Sequence, residues 1–126
     1  MCGLNLAYMK TMGGIPYFEA IAVEKATLLY NYIDGSDGYY INNVDPKYRS
    51  RINIVWTIYN DETMAVKFSA WASAKKIKAL KGHEVFGGCC ASLYNAMPVE
   101  GVIALIAFMS AFRKSNPRCI CQASLL

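Results

Sequence analysis

Apolar and polar residues alternate at two different spacings along the chain, and each spacing predicts a different kind of element. Within residues 16–33 the apolar positions recur every three or four residues, as on one face of an amphipathic helix. Pro16 suits the first turn of this helix, and the turn-forming run Asp34–Gly38 ends it. Residues 4–12 form a shorter helical segment, which Gly13 and Gly14 separate from the long one. The beginning of the chain is therefore predicted to be helical.

The next part of the chain changes to the spacing of strands. Residues 39–44 are aromatic and β-branched, and the pair Asp45–Pro46 closes this segment. Residues 51–59 alternate strictly, with Ile52, Ile54, Trp56 and Ile58 on one side and Asn53, Val55 and Thr57 on the other. A period of two is typical of a strand with one buried face, so both segments are predicted to be strands.

The second half of the chain shows a similar succession of helix, strands and helix. The predicted elements are a helix over residues 60–76, a short strand over 77–80, a glycine-rich loop over 82–88, a strand over 89–94 and a helix over 98–113. The pair Asn60–Asp61 can cap the first of them. Strands placed between helices in this order predict an α+β fold, with one small, mainly antiparallel sheet and helices packed on one face.

Length and composition indicate one domain with an apolar excess. The chain has 126 residues, of which 55% are hydrophobic, whereas soluble domains usually have about 45–50%. This excess argues against a disordered chain, because there is enough apolar surface to form a core. It also suggests that part of the apolar surface serves a partner or a further domain.

Charge and hydropathy argue against two classes of partner. The net charge of +4 is mild, and only Lys75, Lys76, Lys78 and Lys81 cluster. No stacking aromatics or nucleic-acid motif accompany them, so a nucleic-acid partner is not expected. The most apolar run, Gly101–Phe112, is too short to span a bilayer, so no membrane partner is expected either. The N-terminus has no basic and apolar leader, which favours a cytoplasmic location.

The cysteines and the single histidine are the candidate sources of chemistry in this chain. The five cysteines are Cys2, Cys89, Cys90, Cys119 and Cys121. Their spacing does not fit a zinc site, so free thiols are favoured over metal binding. His83 lies between Gly82 and Gly87–Gly88, and glycines on both sides allow a tight turn and a close approach to a ligand. A lone histidine is more often structural, and one histidine supports no nucleophile with a paired base. The residues alone therefore indicate an α+β domain with a candidate ligand loop.

Several blocks of sequence resemble one enzyme family. The blocks Ala79–His83, Gly87–Gly88 and Ala91–Val102 resemble the C-terminal segment of phosphoserine aminotransferase. Farther upstream, Gly13–Gly14, Leu28–Tyr30, Ile33–Asp34 and Arg49–Ile54 are similar to the same family in the same order. The resemblance extends from about residue 13 to residue 112.

The resemblance implies a pyridoxal-phosphate-dependent transaminase of serine biosynthesis. Family members are homodimeric cytoplasmic enzymes that transfer the amino group of glutamate to 3-phosphohydroxypyruvate. Residues 1–116 would be the C-terminal small domain, residues 1–12 the end of a connecting helix, and residues 117–126 an unassigned tail. The family's cofactor lysine lies in the large domain. We therefore expect no catalytic, cofactor-binding or metal-binding residue here, no cofactor on this chain alone, and a large domain or intact subunit as partner.

The same resemblance assigns the candidate substrate-binding residues. His83 matches the histidine of the family's substrate loop, whereas Glu84 and Cys90 stand where the family has arginine. The family's arginines hold the substrate phosphate and carboxylate, which a bidentate guanidinium binds best. Neither glutamate nor cysteine can replace that contact. An inactive or altered site is therefore expected.

Three hypotheses remain open at this point. The chain is a fragment or divergent copy of the aminotransferase, or it is a non-catalytic module that docks on an intact aminotransferase subunit, or it is an unrelated α+β binding domain. The length of the resemblance favours the first two over the third.

Overall fold

An antiparallel sheet with helices on one face forms the fold. The computed structural model describes residues 1–83 and 87–118. Its helices are α1 (Cys2–Thr11), α2 (Gly14–Asp34), α3 (Glu62–Ala74) and α4 (Val99–Ser115), and its strands are β1 (Tyr40–Ile41), β2 (Asn53–Ile58), β3 (Lys81–His83) and β4 (Gly87–Ser92). The four strands form one sheet in the order β1-β2-β4-β3, and every pairing is antiparallel. The predicted α+β class is confirmed.

The alternation along β2 decides which face of the sheet is buried. Ile54, Trp56 and Ile58 are at most 2% exposed and pack into the core, whereas Asn53 and Val55 are exposed. The strand has partners on both sides, β1 and β4, so its period of two orients the whole sheet. The inner face therefore meets the helices, and the opposite face, called here the outer face, does not.

Phe68 of α3 lies at the centre of the core. Its ring centroid is 6.1 Å from the rings of Tyr40 and Trp56 of the sheet, and 5.0 Å from those of Phe108 and Phe112 of α4. The side chain is fully buried. Edge-to-face packing of this kind adds to the free energy gained from apolar burial. Phe68 thus joins the sheet to two helices.

Helix α3 has the N-terminal cap and the buried stripe of side chains that its sequence predicts. The Asp61 carboxylate accepts a hydrogen bond from the Thr63 backbone amide at 2.8 Å, which is the geometry of an N-cap. Ala65, Phe68 and Ala72 form its buried stripe. None of the helices within the described residues is long and apolar enough to cross a membrane.

Two of the predicted strands are misplaced or shortened. Residues 77–80 are not a strand, because Lys76 and Ala79 have positive φ angles of 64° and 61°, which no strand adopts. The strand begins at Lys81 instead. The predicted strand 39–44 is reduced to Tyr40–Ile41, since the Asn42 side-chain amide donates to the Val55 carbonyl at 2.6 Å and takes over the pairing.

The predicted loop over residues 82–88 is wrong at both of its ends. Gly82 and His83 belong to β3, and Gly87 and Gly88 belong to β4, so a hairpin replaces the loop. Residues 84–86 lie outside the described residues.

Replacing Phe68 with alanine tests the central position of this ring. We expect Phe68→Ala to lower the free energy of unfolding by about 3–5 kcal/mol, because it leaves a cavity among four aromatic neighbours. Val66→Ala is the matched control on the same helix, since Val66 is 63% exposed, and it should change stability by less than about 0.5 kcal/mol. Urea denaturation measures both variants. Similar losses for the two variants would contradict the proposed core.

Candidate functional site

Cys90 lies on the outer face of the sheet. In the β2–β4 ladder Cys90 lies opposite Val55, and Cys89 lies opposite Trp56. Cys89 is therefore on the inner face and is 1% exposed, whereas Cys90 is only partly buried. The period of two places Ser92 on the same face as Cys90. The candidate residue Cys90 thus lies on the outer side of the sheet.

His83 lines a cleft on this outer face. The histidine pairs with Gly87 at the end of the β3–β4 hairpin. The cleft has a volume of about 400 Å³ and is lined by Ile41, Asn43, Val44, Val55, Trp56, Thr57, His83 and Gly87. Val55 connects the two candidate residues, because it lines the cleft with His83 and lies opposite Cys90. Among the described residues that line the cleft there is no lysine, arginine or carboxylate.

The glycines near His83 allow the strands to approach one another closely. A Cβ atom on Gly82 would lie 2.0 Å from the Gly87 carbonyl oxygen, and one on Gly88 would lie 2.7 Å from the Trp56 carbonyl oxygen. Gly87 and Gly88 also have φ angles of +62° and +67°, which favour glycine. The structure therefore requires these glycines for the hairpin itself.

Glu62 of α3 fixes the start of β4 in the same hairpin. Its carboxylate accepts a hydrogen bond from the Gly88 backbone amide at 2.9 Å. A side chain on Gly87 would collide with this carboxylate, because a Cβ atom there would lie 2.5 Å from it. The orientation of the strand end that carries His83 thus depends on α3.

The cysteines of the site are uncharged thiols. Cys2, Cys89 and Cys90 are free, and no group of residues suited to a metal is found in the described part of the chain. Burial raises the pKa of Cys89 to about 12, and burial also raises the pKa of Cys90. A thiol that stays neutral provides no ionic contact to a carboxylate. Cys119, Cys121 and the candidate Glu84 lie outside the described residues.

Arg49, near the end of α2, is committed to structure. Its guanidinium binds both oxygens of Asp34 at 2.6 and 2.9 Å, and it stacks on the Tyr30 ring at 4.7 Å. The hydrogen bonds that Arg49 donates to the Asp34 carboxylate raise the pKa of Arg49. A bidentate contact of this kind leaves the fork of the guanidinium occupied. The Arg49 guanidinium is therefore engaged by Asp34 and Tyr30.

Lys25 is a feature that the sequence interpretation missed. It is 1% exposed within α2, and its ammonium donates to the carbonyls of Leu93 at 3.3 Å and of Tyr94 and Met97 at 2.8 Å. A signal was present, because Lys25 lies four residues before the buried Leu29 on the apolar stripe of the helix. A charged residue on such a stripe indicates a buried polar contact.

The chain is similar in structure to about a third of the length of solved phosphoserine aminotransferases. The chain aligns with phosphoserine aminotransferase from Bacillus circulans subsp. alkalophilus with a TM-score of 0.84 and 34% identity, over 87% of this chain and 30% of that one. It aligns with pyridoxal-phosphate-bound phosphoserine aminotransferase from Trichomonas vaginalis with a TM-score of 0.77 and 33% identity, over 82% and 30% of the two chains.

Sequence relatives point to the same family. Phosphoserine aminotransferase from Histophilus somni (strain 129Pt) is 49% identical over 116 residues, which is 92% of this chain and 32% of the relative. The enzyme from Desulfotalea psychrophila is 47% identical over 115 residues, which is 91% of this chain and 31% of the relative. The chain therefore belongs to the phosphoserine aminotransferase family, and it spans about a third of the length of the curated relatives it matches. No family model matches the chain.

Proposed function

We propose that residues 1–116 serve as the C-terminal small domain of a phosphoserine aminotransferase, and that residues 1–12 end the helix that connects it to the large domain. The whole enzyme would be a cytoplasmic homodimer that converts glutamate and 3-phosphohydroxypyruvate to phosphoserine and 2-oxoglutarate. The observation that carries this proposal is the 49% identity over 92% of the chain. Helix α1 supports it, because none of its residues is buried against this domain. The tail 117–126 has no assigned role.

We infer that this chain alone does not hold pyridoxal phosphate. The cofactor supplies the electron sink of transamination, and in such enzymes a lysine binds it as a Schiff base. Lys25 is the buried lysine of α2, but its ammonium is occupied by three carbonyls. None of the described residues lining the His83 cleft is a lysine. These two observations support a cofactor site in the large domain.

The outer face would meet the substrate in the assembled enzyme. His83 would donate or accept one hydrogen bond there, while Glu84 and Cys90 occupy the positions that arginine fills in the family. A carboxylate about 6 Å from a doubly charged phosphate costs about 1–5 kcal/mol at effective dielectric constants between 80 and 20. Cys90 adds no opposing charge, because burial raises the pKa of its thiol. We therefore propose that the chain gives a poor site for the family's dianionic substrate.

Restoring the two arginines should restore turnover once the large domain is fused ahead of Met1. Each lost charge-assisted contact is worth roughly 1.5–3 kcal/mol, or about tenfold to hundredfold in affinity. We expect Glu84→Arg with Cys90→Arg to raise phosphoserine turnover more than either single change, because the two groups hold opposite ends of one substrate. Steady-state kinetics of the fusion and its three variants measure this effect.

Ser92→Arg is the matched control for the change at position 90. It adds the same charge to the same face of β4, two residues farther along the strand, where the side chain is exposed. A general gain from positive charge would raise turnover in this control as well. The substrate role of the outer face is wrong if the control matches Cys90→Arg, or if the double variant turns over no faster than the parent fusion.

A second candidate function is a non-catalytic module that docks on an intact aminotransferase subunit. The exposed apolar residues of α1 and of the start of α2 favour it, since Leu4 is 76%, Leu6 67% and Ile15 76% exposed. Exposed apolar patches of this kind mark interaction surfaces. The occupant would be the surface that the large domain presents to the small domain.

Charge placed on this apolar surface should abolish docking. We expect the chain to co-elute with an intact phosphoserine aminotransferase in size-exclusion chromatography, and Leu4→Asp with Ile15→Asp to elute alone. Val66→Asp is the control, because Val66 is 63% exposed on a different helix and should leave docking unchanged. Separate elution of the unmodified chain would rule out the docking module and leave the small-domain assignment untouched.

A further inference from the structure

Lys25 is a buried cation that the proposed chemistry does not use. Its side chain lies within α2 and is 1% exposed. The ammonium donates to three backbone carbonyls, at 2.8 Å to Tyr94, 2.8 Å to Met97 and 3.3 Å to Leu93. A lysine ammonium has three donors, so these carbonyls account for all of them. The partners lie 68 to 72 residues away along the chain.

Packing alone does not explain a lysine at this position. Burying a charge is unfavourable unless hydrogen bonds or an opposite charge compensate for it, and burial lowers the pKa of Lys25. The ion pairs of the described residues join Arg49 to Asp34, Arg51 to Glu19 and Arg113 to Asp37, and none of them includes Lys25. A methionine would fill a similar volume without that cost. The three carbonyls therefore explain why a charged side chain occupies this buried position: its ammonium hydrogen-bonds all three of them.

The three carbonyls belong to the connection between β4 and α4. Residues 93–97 form neither helix nor strand, so their backbone carbonyls lack regular partners. The Leu93 amide donates to the Ile52 carbonyl at 2.7 Å, and the Met97 amide donates to the Tyr94 carbonyl at 2.9 Å. Lys25 adds a third anchor, which ties this connection to α2.

This connection sets the end of the strand that carries Cys90. Leu93 follows β4 directly, and Ser92 and Ala91 are still paired with Asn53 and Ile54 of β2. At its other end, Pro98 is the N-cap of α4. Fixing the connection therefore fixes both the exit of β4 and the start of α4.

We propose that Lys25 is a positioning residue. Its ammonium clamps residues 93–97 and thereby holds in place strand β4, which carries Cys90 on the outer face. Its importance for substrate rests on the proposed function of that face. The clamp acts on the backbone of residues 93–97. Its presence can therefore be tested, and disproved, without any measurement of enzyme activity.

Residue-resolved amide hydrogen exchange of Lys25→Met tests the clamp. We expect the Leu93 and Met97 amides to exchange about tenfold faster or more than in the parent chain, because the charge-assisted contacts beside them are lost. The Phe68 amide in α3 should change only as much as global stability changes. Lys10→Met removes the same charge from an exposed position of α1, and it should leave all three amides unchanged.

Lys25→Arg separates the clamp from simple packing. A clamp favours arginine, which keeps the cation and its donors, whereas packing alone favours methionine. We expect Leu93 and Met97 to be better protected in the arginine variant than in the methionine variant, and a folded arginine variant beside an unfolded methionine variant supports the same conclusion. Equal loss of protection across the chain, better protection in the methionine variant, or the unfolding of both variants would overturn a local positioning role.

Discussion

The fold depends on one constraint, which is the burial of alternate side chains of β2 in the core that also contains Phe68. Strand β2 is paired on both sides, and its inner residues Ile54, Trp56 and Ile58 are almost fully buried. Since adjacent strands share the same pleat, this alternation also decides which side of β4 is buried. Cys89 is thereby assigned to the core and Cys90 to the outer face. The chemistry available to the domain follows from that division.

The division places Cys90 on the outer face, where no charged residue is found among the described residues that line the His83 cleft. The cleft is mostly apolar among those residues, and the Arg49 guanidinium is held by both oxygens of Asp34. Burial raises the pKa of the Cys90 thiol, which favours its neutral form. The chain shares its α+β scaffold with phosphoserine aminotransferases of known structure, whereas an altered substrate site is our proposal. It accords with the view that function resides in the site and not in the fold.

Periodicity predicted the long elements because they are defined by local spacing. The buried stripe of α3, the alternation of β2 and the start of α4 were all predicted correctly from the sequence. The hairpin around His83 was not, since Gly82, Gly87 and Gly88 were interpreted as a loop that approaches a ligand. Their actual role is to let strands approach one another closely, in a short hairpin whose sequence has no apolar and polar alternation to reveal it. Lys25 was missed for a similar reason, because its carbonyl partners are distant in sequence.

We propose that this chain is one part of an enzyme whose cofactor site lies in another domain. Borohydride reduction after addition of pyridoxal phosphate, followed by peptide mapping of the labelled lysine, tests this proposal. For the chain fused to a large domain of the family, we expect one labelled lysine, located in the added domain. For the chain alone we expect only weak labelling spread over surface lysines. A single stoichiometrically labelled lysine in the isolated chain would show that the proposal is wrong.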